Sequence, residues 1–288
     1  MSSGLLATEQ GVLKVQEAIR EHGLDGWLLY EFRGLNPISA ALLGLGKTTR
    51  RGFVLIPDEG DPIALTHSIE ASSWRHWPFI RRTYSSWGEM ETEVAKLVGG
   101  RSRLAMEVSP GAAVPTLDYV PAGMASVLLA LGVSMVSSGD LVSRFHSAWS
   151  ETQLEEHRRA AEIVAATARG AFEKAADAVR TGSPTCEGAL SEWIRDELRK
   201  AGLVAGTDCI VAVGPQAADS HYAPVGDGET IRRGDLLLID LWGAFSDSVA
   251  ADQTWMGMLD SRLDERTQEI WEAVRDARDS ALTFLHER

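Results

Sequence analysis

Two aspartates lie near each other in the sequence, each after an apolar run. Asp240 directly follows the four apolar residues Leu236–Ile239, and Asp252 follows Val249–Ala251 twelve residues further on. Aspartate is depleted in β-strands, and a buried carboxylate without a partner is costly. An aspartate in such a place therefore needs a cation or several hydrogen bonds.

The spacing of the two aspartates indicates what that partner could be. They are symmetric about Ser246, so a hairpin that turns there without a bulge makes them direct cross-strand neighbours. Their Cβ atoms would then be about 4.5–5.5 Å apart on one face of the sheet. A hard divalent cation such as Mn²⁺, Mg²⁺ or Co²⁺ would remove their repulsion, and two such cations could activate a water as nucleophile. The alternative is that Asp240 caps a strand end and Asp252 lies on a solvated edge.

Charge and composition exclude several other classes of function. The chain has 288 residues and a net charge of -13, which argues against nucleic acid or an anionic membrane as a partner. No apolar stretch is long enough for a membrane span, and the first ten residues do not look like a signal peptide. Cys186 and Cys209 are too few for a disulfide framework. We therefore expect a cytoplasmic protein.

The elements that must position the aspartates fall into two halves. The first half, residues 1–149, alternates helical and strand patterns, as α/β layers do. A helix is predicted around Val12, Val15 and Ile19, and strands are predicted at 26–30, 51–57, 62–66, 103–107 and 132–136. Asp58–Asp61 is predicted to turn the second and third of these strands into a hairpin.

The second half, residues 150–288, opens with Ser150-Glu151-Thr152-Gln153, which fits a capping box at a helix start. Helices are predicted at about 151–180, 185–201 and 264–285, with a strand at 210–214 and a β-rich stretch at 230–258. The two aspartates lie in that β-rich stretch. The last helix has an apolar stripe that would normally be covered by a sheet: Ile270, Val274, Ala277, Ala281 and Leu285.

Several segments resemble the pita-bread metallopeptidases, a family that includes methionine aminopeptidases, aminopeptidase P, prolidase and creatinase. Asp240–Trp242 and Asp252–Trp255 look like the two aspartate motifs of that family, and Ser220–Pro224 resembles its substrate-facing histidine segment. In the first half, Trp27–Tyr30 and Arg33–Pro37 resemble the N-terminal domain of creatinase-type members. The resemblance implies an α/β (α+β) chain with a creatinase-like N-terminal α/β domain at 1–149 and a partial pita-bread catalytic domain at 150–288.

The resemblance also implies a role for each matching residue. Asp240 would chelate one metal, and Asp252 would bridge two divalent metal ions (Mn, Co or Zn). His221 would face the substrate and stabilise the tetrahedral intermediate or donate a proton, which suits a histidine near neutral pH; a loop histidine without a role is the alternative. The implied function is a metal-dependent Xaa-Pro aminopeptidase or dipeptidase acting on a short peptide. Members with this N-terminal domain are often dimers, so a homodimer is the expectation.

The sequence departs from the family after the second aspartate. The family completes its site there with one histidine and two glutamates, whereas this sequence has His286 and four glutamates in a helical pattern that fits a solvated face: Glu265, Glu269, Glu272 and Glu287. We therefore expect that a substantial part of the catalytic domain is missing and that these 288 residues alone have no appreciable peptidase activity. The metal site itself is expected to be incomplete and not fully occupied in this chain.

Smaller departures lie within the aspartate hairpin. The two aspartates are one residue further apart than is common in the family, which suggests a β-bulge. Gln253 replaces a usual apolar residue, and Trp255 replaces a common arginine. Two other functions stay open on these grounds: a creatinase-like metal-free hydrolase, and a non-catalytic peptide-binding module on the pita-bread scaffold.

Overall fold

The structure, a computed structural model, describes residues 4–46, 48–183, 185–246 and 248–287. The chain divides into two compact units, Met1–Trp149 and Ser150–Arg288. Both units combine helices with sheets, so the predicted α/β class is confirmed. In the described ranges, no helix has the length and apolar character that crossing a membrane requires.

The first unit is built around one mixed sheet. Its strands are β1 (Gly26–Glu31), β2 (Gly52–Pro57), β3 (Ile63–His67), β4 (Ile80–Tyr84), β5 (Arg103–Met106) and β6 (Ser134–Ser137). Its helices are α1 (Glu9–Glu21), α2 (Pro37–Leu43), α3 (Trp87–Val98), α4 (Ala122–Ala130) and α5 (Gly139–Phe145). The strand order is β4-β3-β2-β1-β5-β6. The predicted β2–β3 hairpin is confirmed by its antiparallel pairing.

Both faces of this sheet are covered by helices. Along β1, Trp27 and Leu29 face a core shared with α1, α2 and α5, whereas Leu28 and Tyr30 face a core shared with α3 and α4. This alternation follows from the two-residue period of a strand, and it explains why β1 is apolar throughout. The predicted α1 is confirmed, with Thr8 as its N-cap. Four of the helices, α2 to α5, and strand β4 were not predicted.

The second unit carries the aspartate pair on a smaller antiparallel sheet. Its strands are β7 (Thr185–Cys186), β8 (Ala205–Val213), β9 (Thr230–Ile231), β10 (Leu236–Ala244) and β11 (Ala251–Met258). Its helices are α6 (Glu151–Thr181), α7 (Glu187–Lys200) and α8 (Glu265–His286). Three strands form a sheet in the order β11-β10-β8, and β7 pairs with β9. The start of α7 was predicted two residues early, because Thr185 and Cys186 belong to β7.

One face of the three-stranded sheet is packed against α6 and α7. The inward residues of β10 are Leu237, Ile239 and Leu241, and all three are fully buried. Helix α6 meets this face largely through alanines, whose small side chains allow the helix to lie close to the strands. The predicted capping box at Ser150 and Gln153 is confirmed, since each side chain bonds the other residue's main-chain N–H.

The opposite face of the same sheet is open to solvent. The side chains of β10 alternate between buried and partly exposed, so Asp240 and Trp242 point away from the helices. Helix α8 is exposed as well, and none of its described residues is buried. Its apolar side chains are largely uncovered, with Val274 64% exposed and Leu285 65% exposed. The aspartates therefore stand on an accessible surface that is backed by a well-packed core.

Candidate functional site

Asp240 and Asp252 lie on the open face of the sheet, on neighbouring strands. In the antiparallel ladder, Asp240 is opposite Thr254, and Trp242 is opposite Asp252. Asp252 is therefore a diagonal neighbour of Asp240. Diagonal positions on one face are about 7–8 Å apart, with somewhat shorter distances between Cβ atoms. Because a carboxylate extends beyond its Cβ, both side chains can reach one cation that lies above the sheet.

The predicted direct pairing of the two aspartates is wrong. The ladder is centred on position 247 and not on Ser246, so Asp240 pairs two positions further along β11 than expected. Side chains alternate between faces with a period of two, and a shift of two residues therefore keeps both aspartates on the same face. The register does shift, but between β10 and β8, at Trp242 to Ala244. The turn residue Asp247 lies outside the described residues.

The electrostatics of the pair favour a positive ligand. Partial burial raises the pKa of Asp252, and the negative charge of Asp240 raises it further. The hydroxyl of Thr254 donates a 2.7 Å hydrogen bond to Oδ1 of Asp240, which fixes the orientation of that carboxylate. Thr254 thus occupies the directly opposed position that the sequence had assigned to Asp252. A cation between the carboxylates would remove the repulsion that raises the pKa of Asp252.

The two departures from the family motif at Gln253 and Trp255 have a structural reason. Both side chains lie on the packed face, toward α6. The amide nitrogen of Gln253 donates a 3.1 Å hydrogen bond to the carbonyl of Ala161 on α6, and Trp255 Nε1 donates a 3.0 Å hydrogen bond to Gln253 Oε1. The partly buried polar groups of both side chains are therefore hydrogen-bonded, and neither residue reaches the aspartate face.

His221 lies in the loop that joins β8 to β9, residues 214–229, which we call the histidine loop. The loop begins with a short 3-10 helix, Gly214–Ala218, that contacts β10. The main-chain N–H of His221 donates a 2.9 Å hydrogen bond to Oδ1 of Asp219, and its ring is exposed. Within the described part of the chain, no hydrogen bond or ion pair joins that ring to either aspartate. The start of the loop therefore lies beside the aspartate-bearing strand, and His221 itself is exposed.

One residue of this region was missed by sequence reasoning. Glu187, the first residue of α7, is fully buried, and its carboxylate bonds Val213, Tyr222 and Glu229. A glutamate in the first turn of a helix is ordinary, because it interacts favourably with the helix dipole. Only contacts that are distant in sequence distinguish it, so no local signal could have found it.

The two aspartates offer oxygen donors of the type that suits a hard divalent cation, but they are only two. Carboxylate oxygens are preferred ligands of Mn²⁺ and Mg²⁺. Across the described ranges, no group of three or more His, Cys, Asp or Glu side chains could hold a metal ion. The glutamates of α8 lie on an exposed helix, as the sequence predicts, and His286 ends that helix. Asp240 and Asp252 thus present two carboxylates, the type of oxygen donor that hard divalent cations prefer.

The comparisons with known proteins agree with this fold. The profile of metallopeptidase family M24 matches residues 155–287. A dipeptidase from Mycobacterium ulcerans superposes with a TM-score of 0.64 and 18% identity, covering 86% of this chain and 63% of its own. The prolidase from Pyrococcus horikoshii superposes with a TM-score of 0.59 and 20% identity, covering 94% of this chain and 70% of its own. The X-Pro aminopeptidase from Thermotoga maritima superposes with a TM-score of 0.57 and 21% identity, covering 93% of this chain and 71% of its own. No curated protein matches the sequence significantly.

These similarities define first the class of fold and then the family. The chain has the fold of the pita-bread peptidases, and it spans less than two thirds of the length of the dipeptidase from Mycobacterium ulcerans. The profile of metallopeptidase family M24 matches nearly all of the second unit, residues 155–287. The predicted resemblance to pita-bread metallopeptidases is therefore confirmed. The assignment of the first unit as a creatinase-type domain stays a prediction, as do the individual roles of His221, Asp240 and Asp252.

Proposed function

We propose that this chain carries two carboxylate ligands of the dinuclear metal site of an Xaa-Pro aminopeptidase or dipeptidase. The observation that carries this proposal is the position of Asp240 and Asp252, which are diagonal neighbours on an open sheet face. The negative charge of Asp240 is close enough to raise the pKa of Asp252. The solved structures with this fold include a prolidase and an X-Pro aminopeptidase, which supports the substrate class. The substrate would be a short peptide, cleaved at its N-terminal peptide bond.

The residues of this chain would act in distinct ways. Asp240, oriented by Thr254, would bind one ion, and Asp252 would bridge both. Bound divalent ions of this kind supply a water nucleophile at neutral pH. His221 would hydrogen-bond the carbonyl oxygen of the substrate as negative charge develops on it. A homodimer and a cytoplasmic location remain predictions, and sedimentation of the purified chain would test the former.

Calorimetry with Mn²⁺ tests the metal site directly. Wild-type chain, Asp240→Asn and Asp252→Asn are titrated beside Glu272→Gln, a control that neutralises a partly exposed acid on α8. We expect binding to the wild type and the control, and at least about ten-fold weaker binding to either aspartate variant, because each loses one of two charged ligands. Binding that is indifferent to both substitutions would contradict the proposal.

A peptide-binding module without catalysis is the second candidate function. The observation that favours it is the small number of metal donors. Within the described residues, no histidine and no further acidic side chain joins the two aspartates in a metal-binding group. Fluorescence titration with a proline-containing tripeptide, with and without EDTA, separates the two candidates. Peptide binding that survives EDTA, together with no Mn²⁺ binding, favours the module. We expect no appreciable hydrolysis by these 288 residues alone in either case.

A further inference from the structure

A single buried carboxylate contacts the histidine loop at two places and the residue just before it at a third. Oε1 of Glu187 accepts a 2.9 Å hydrogen bond from the main-chain N–H of Val213, just before the loop begins. Oε2 accepts a 2.8 Å hydrogen bond from the hydroxyl of Tyr222, in the middle of the loop. Oε2 also accepts a 2.9 Å hydrogen bond from the N–H of Glu229, at its end. One side chain thus holds the entry, the centre and the exit of the same loop.

The main chain at the start of α7 strengthens this attachment. The N–H of Glu187 donates to the carbonyl of Glu229 at 3.1 Å, and the N–H of Gly188 donates to the carbonyl of Asp227 at 2.9 Å. Gly228 has a φ of 69°, in the left-handed region that favours glycine. A Cβ there would collide with Oε2 of Glu187, so the loop lies directly against the carboxylate.

The chemistry of the attachment makes it specific and persistent. A fully buried carboxylate is costly unless its oxygens are hydrogen-bonded, and the three donors from the loop region meet that need. The hydrogen bond to Glu187 raises the pKa of Tyr222 to about 12. The phenol therefore keeps its proton throughout the neutral range and always serves as the donor. Glu187 and the loop consequently depend on each other for their positions.

We propose that Glu187 is a positioning residue for His221, which adjoins Tyr222 in the chain. The proposal rests on the proposed function, in which His221 faces the substrate. A loop of this length would otherwise sample many conformations, and ordering it on each binding event would cost free energy. Because the carboxylate holds the loop before the ligand arrives, the position of His221 is fixed in advance of binding.

Hydrogen exchange measured by mass spectrometry tests whether the carboxylate holds the loop. Glu187→Gln keeps the shape of the side chain but replaces one acceptor oxygen with a donor, and Tyr222→Phe removes only the tie next to His221. Glu192→Gln is the matched control, since Glu192 lies on the same helix and is exposed. We expect exchange in 213–229 to rise at least about ten-fold in Glu187→Gln and less in Tyr222→Phe. The β10–β11 hairpin and the control should exchange as in the wild type.

A spectroscopic measurement separates positioning from simple stabilisation. The imidazole signal of His221 in the NMR spectrum, assigned through its loss in His221→Gln, is followed while Mn²⁺ is added. We expect paramagnetic broadening of this signal in the wild type and in Glu192→Gln. The broadening should weaken in Tyr222→Phe and Glu187→Gln, although the Mn²⁺ affinity changes by less than about two-fold because neither residue is a ligand. A purely structural role would lower stability without selectively moving this signal.

Each outcome distinguishes the inference from the proposed function. Unchanged loop exchange in both variants, or unchanged broadening of the His221 signal with Mn²⁺ bound, would overturn the positioning role. If the wild type binds no Mn²⁺, the proposed function fails, and loop exchange alone then decides whether Glu187 holds the loop. If Glu187→Gln does not fold, Tyr222→Phe decides, because it keeps the bonds from Val213 and Glu229.

Discussion

Thr254 stands directly opposite Asp240 in the β10–β11 ladder, and its hydroxyl donates a 2.7 Å hydrogen bond to the aspartate. A hydrogen bond of this kind holds a ligand side chain in one orientation and thereby increases its metal affinity. Thr254 is therefore expected to support the proposed site even though its own oxygen need not contact the ion. Substitutions that keep or remove this hydroxyl can measure the effect.

We predict that Thr254→Val weakens Mn²⁺ binding by roughly ten-fold, because supporting residues of metal ligands have effects of that order. Valine keeps the volume and the β-branched shape, so the strand pairing should be preserved. Thr254→Ser is the matched control, since it retains the hydroxyl, and it should bind nearly as the wild type does. Equal affinities for the valine and serine variants, measured by calorimetry, would show that the hydrogen bond is unimportant.

Charge repulsion between the aspartates gives a second prediction. The pKa of Asp252 is raised in the folded chain, so its favourable contribution exists below the unfolded pKa, near 4, and is lost as the pH rises through the folded value. Without metal at pH 7, Asp252→Asn should therefore stabilise the second unit, by only a few tenths of a kcal/mol because the site is largely exposed. The gain should disappear at pH 3.5 and in high salt.

The control for that experiment, Asp260→Asn, is expected to lower the stability at pH 7, where Asp252→Asn raises it. Asp260 pairs with Arg233, and its pKa is lowered by that partner. Asp260→Asn should therefore destabilise the chain at pH 7, where the pair is charged, and have less effect at low pH. Urea unfolding of both variants at the two pH values provides the measurement. A loss of stability in metal-free Asp252→Asn at pH 7 would show that hydrogen bonding of that carboxylate outweighs the repulsion.

The sequence predicted those features that depend on local chemistry. Ser150 and Gln153 predicted the start of α6 because a capping box is formed by residues three apart. The aspartates could be predicted as candidate site residues because a charged residue within an apolar strand needs a partner. The register of β10 and β11 was predicted two residues out, because the loop between the strands, and not the symmetry of the sequence, determines which residues pair.

Other features depend on contacts that are distant in the chain. Strand β4 has mostly exposed side chains without a clear period, and it is a strand because its backbone pairs in parallel with β3. Glu187 is separated by 35 residues from Tyr222 and by 42 from Glu229. Helix α3 did carry a local signal, since Ser86 caps it and Met90, Val94 and Leu97 have helical spacing. That helix could have been predicted, whereas the role of Glu187 could not.

A third prediction concerns the buried carboxylate of the first unit. Glu107 is fully buried and accepts hydrogen bonds from Trp27 at 2.7 Å, Asn36 at 2.8 Å and Ser138 at 3.1 Å. Burial raises the pKa of Glu107. Its contribution to stability is therefore fully present below the unfolded pKa, about 4.3, and is lost as the pH rises through the folded value.

Glu107→Gln should remove this pH dependence. Glutamine is neutral at every pH, so the stability of the variant relative to the wild type should improve as the pH rises from about 4.5 to 8. At pH 4.5 the variant should be less stable by about 1–3 kcal/mol, because its amide group faces the donor of Asn36. Urea unfolding across this range measures the difference, with exposed Glu17→Gln as the control. A difference that is constant with pH would contradict the prediction.

The last prediction compares a core leucine and a surface leucine of the second unit. Leu237 on β10 is fully buried beneath the helices, whereas Leu282 on α8 is 48% exposed. Leu237→Ala should cost about 2–5 kcal/mol, because it removes buried methyl groups and leaves a cavity. Leu282→Ala should cost less than about 0.5 kcal/mol, as is usual for surface substitutions. Both values come from urea unfolding of the purified chain at several protein concentrations.

Unfolding at several protein concentrations also tests whether the apolar side chains of α8 are covered in solution. If Leu282→Ala costs as much as Leu237→Ala, the apolar side chains of α8 are covered in solution. A cost that grows with protein concentration would then identify a second copy of the chain as the cover, because association stabilises the folded state by mass action. A small cost at every concentration would show that α8 stays exposed in solution, so that the stability of this unit rests on the core beneath Asp240.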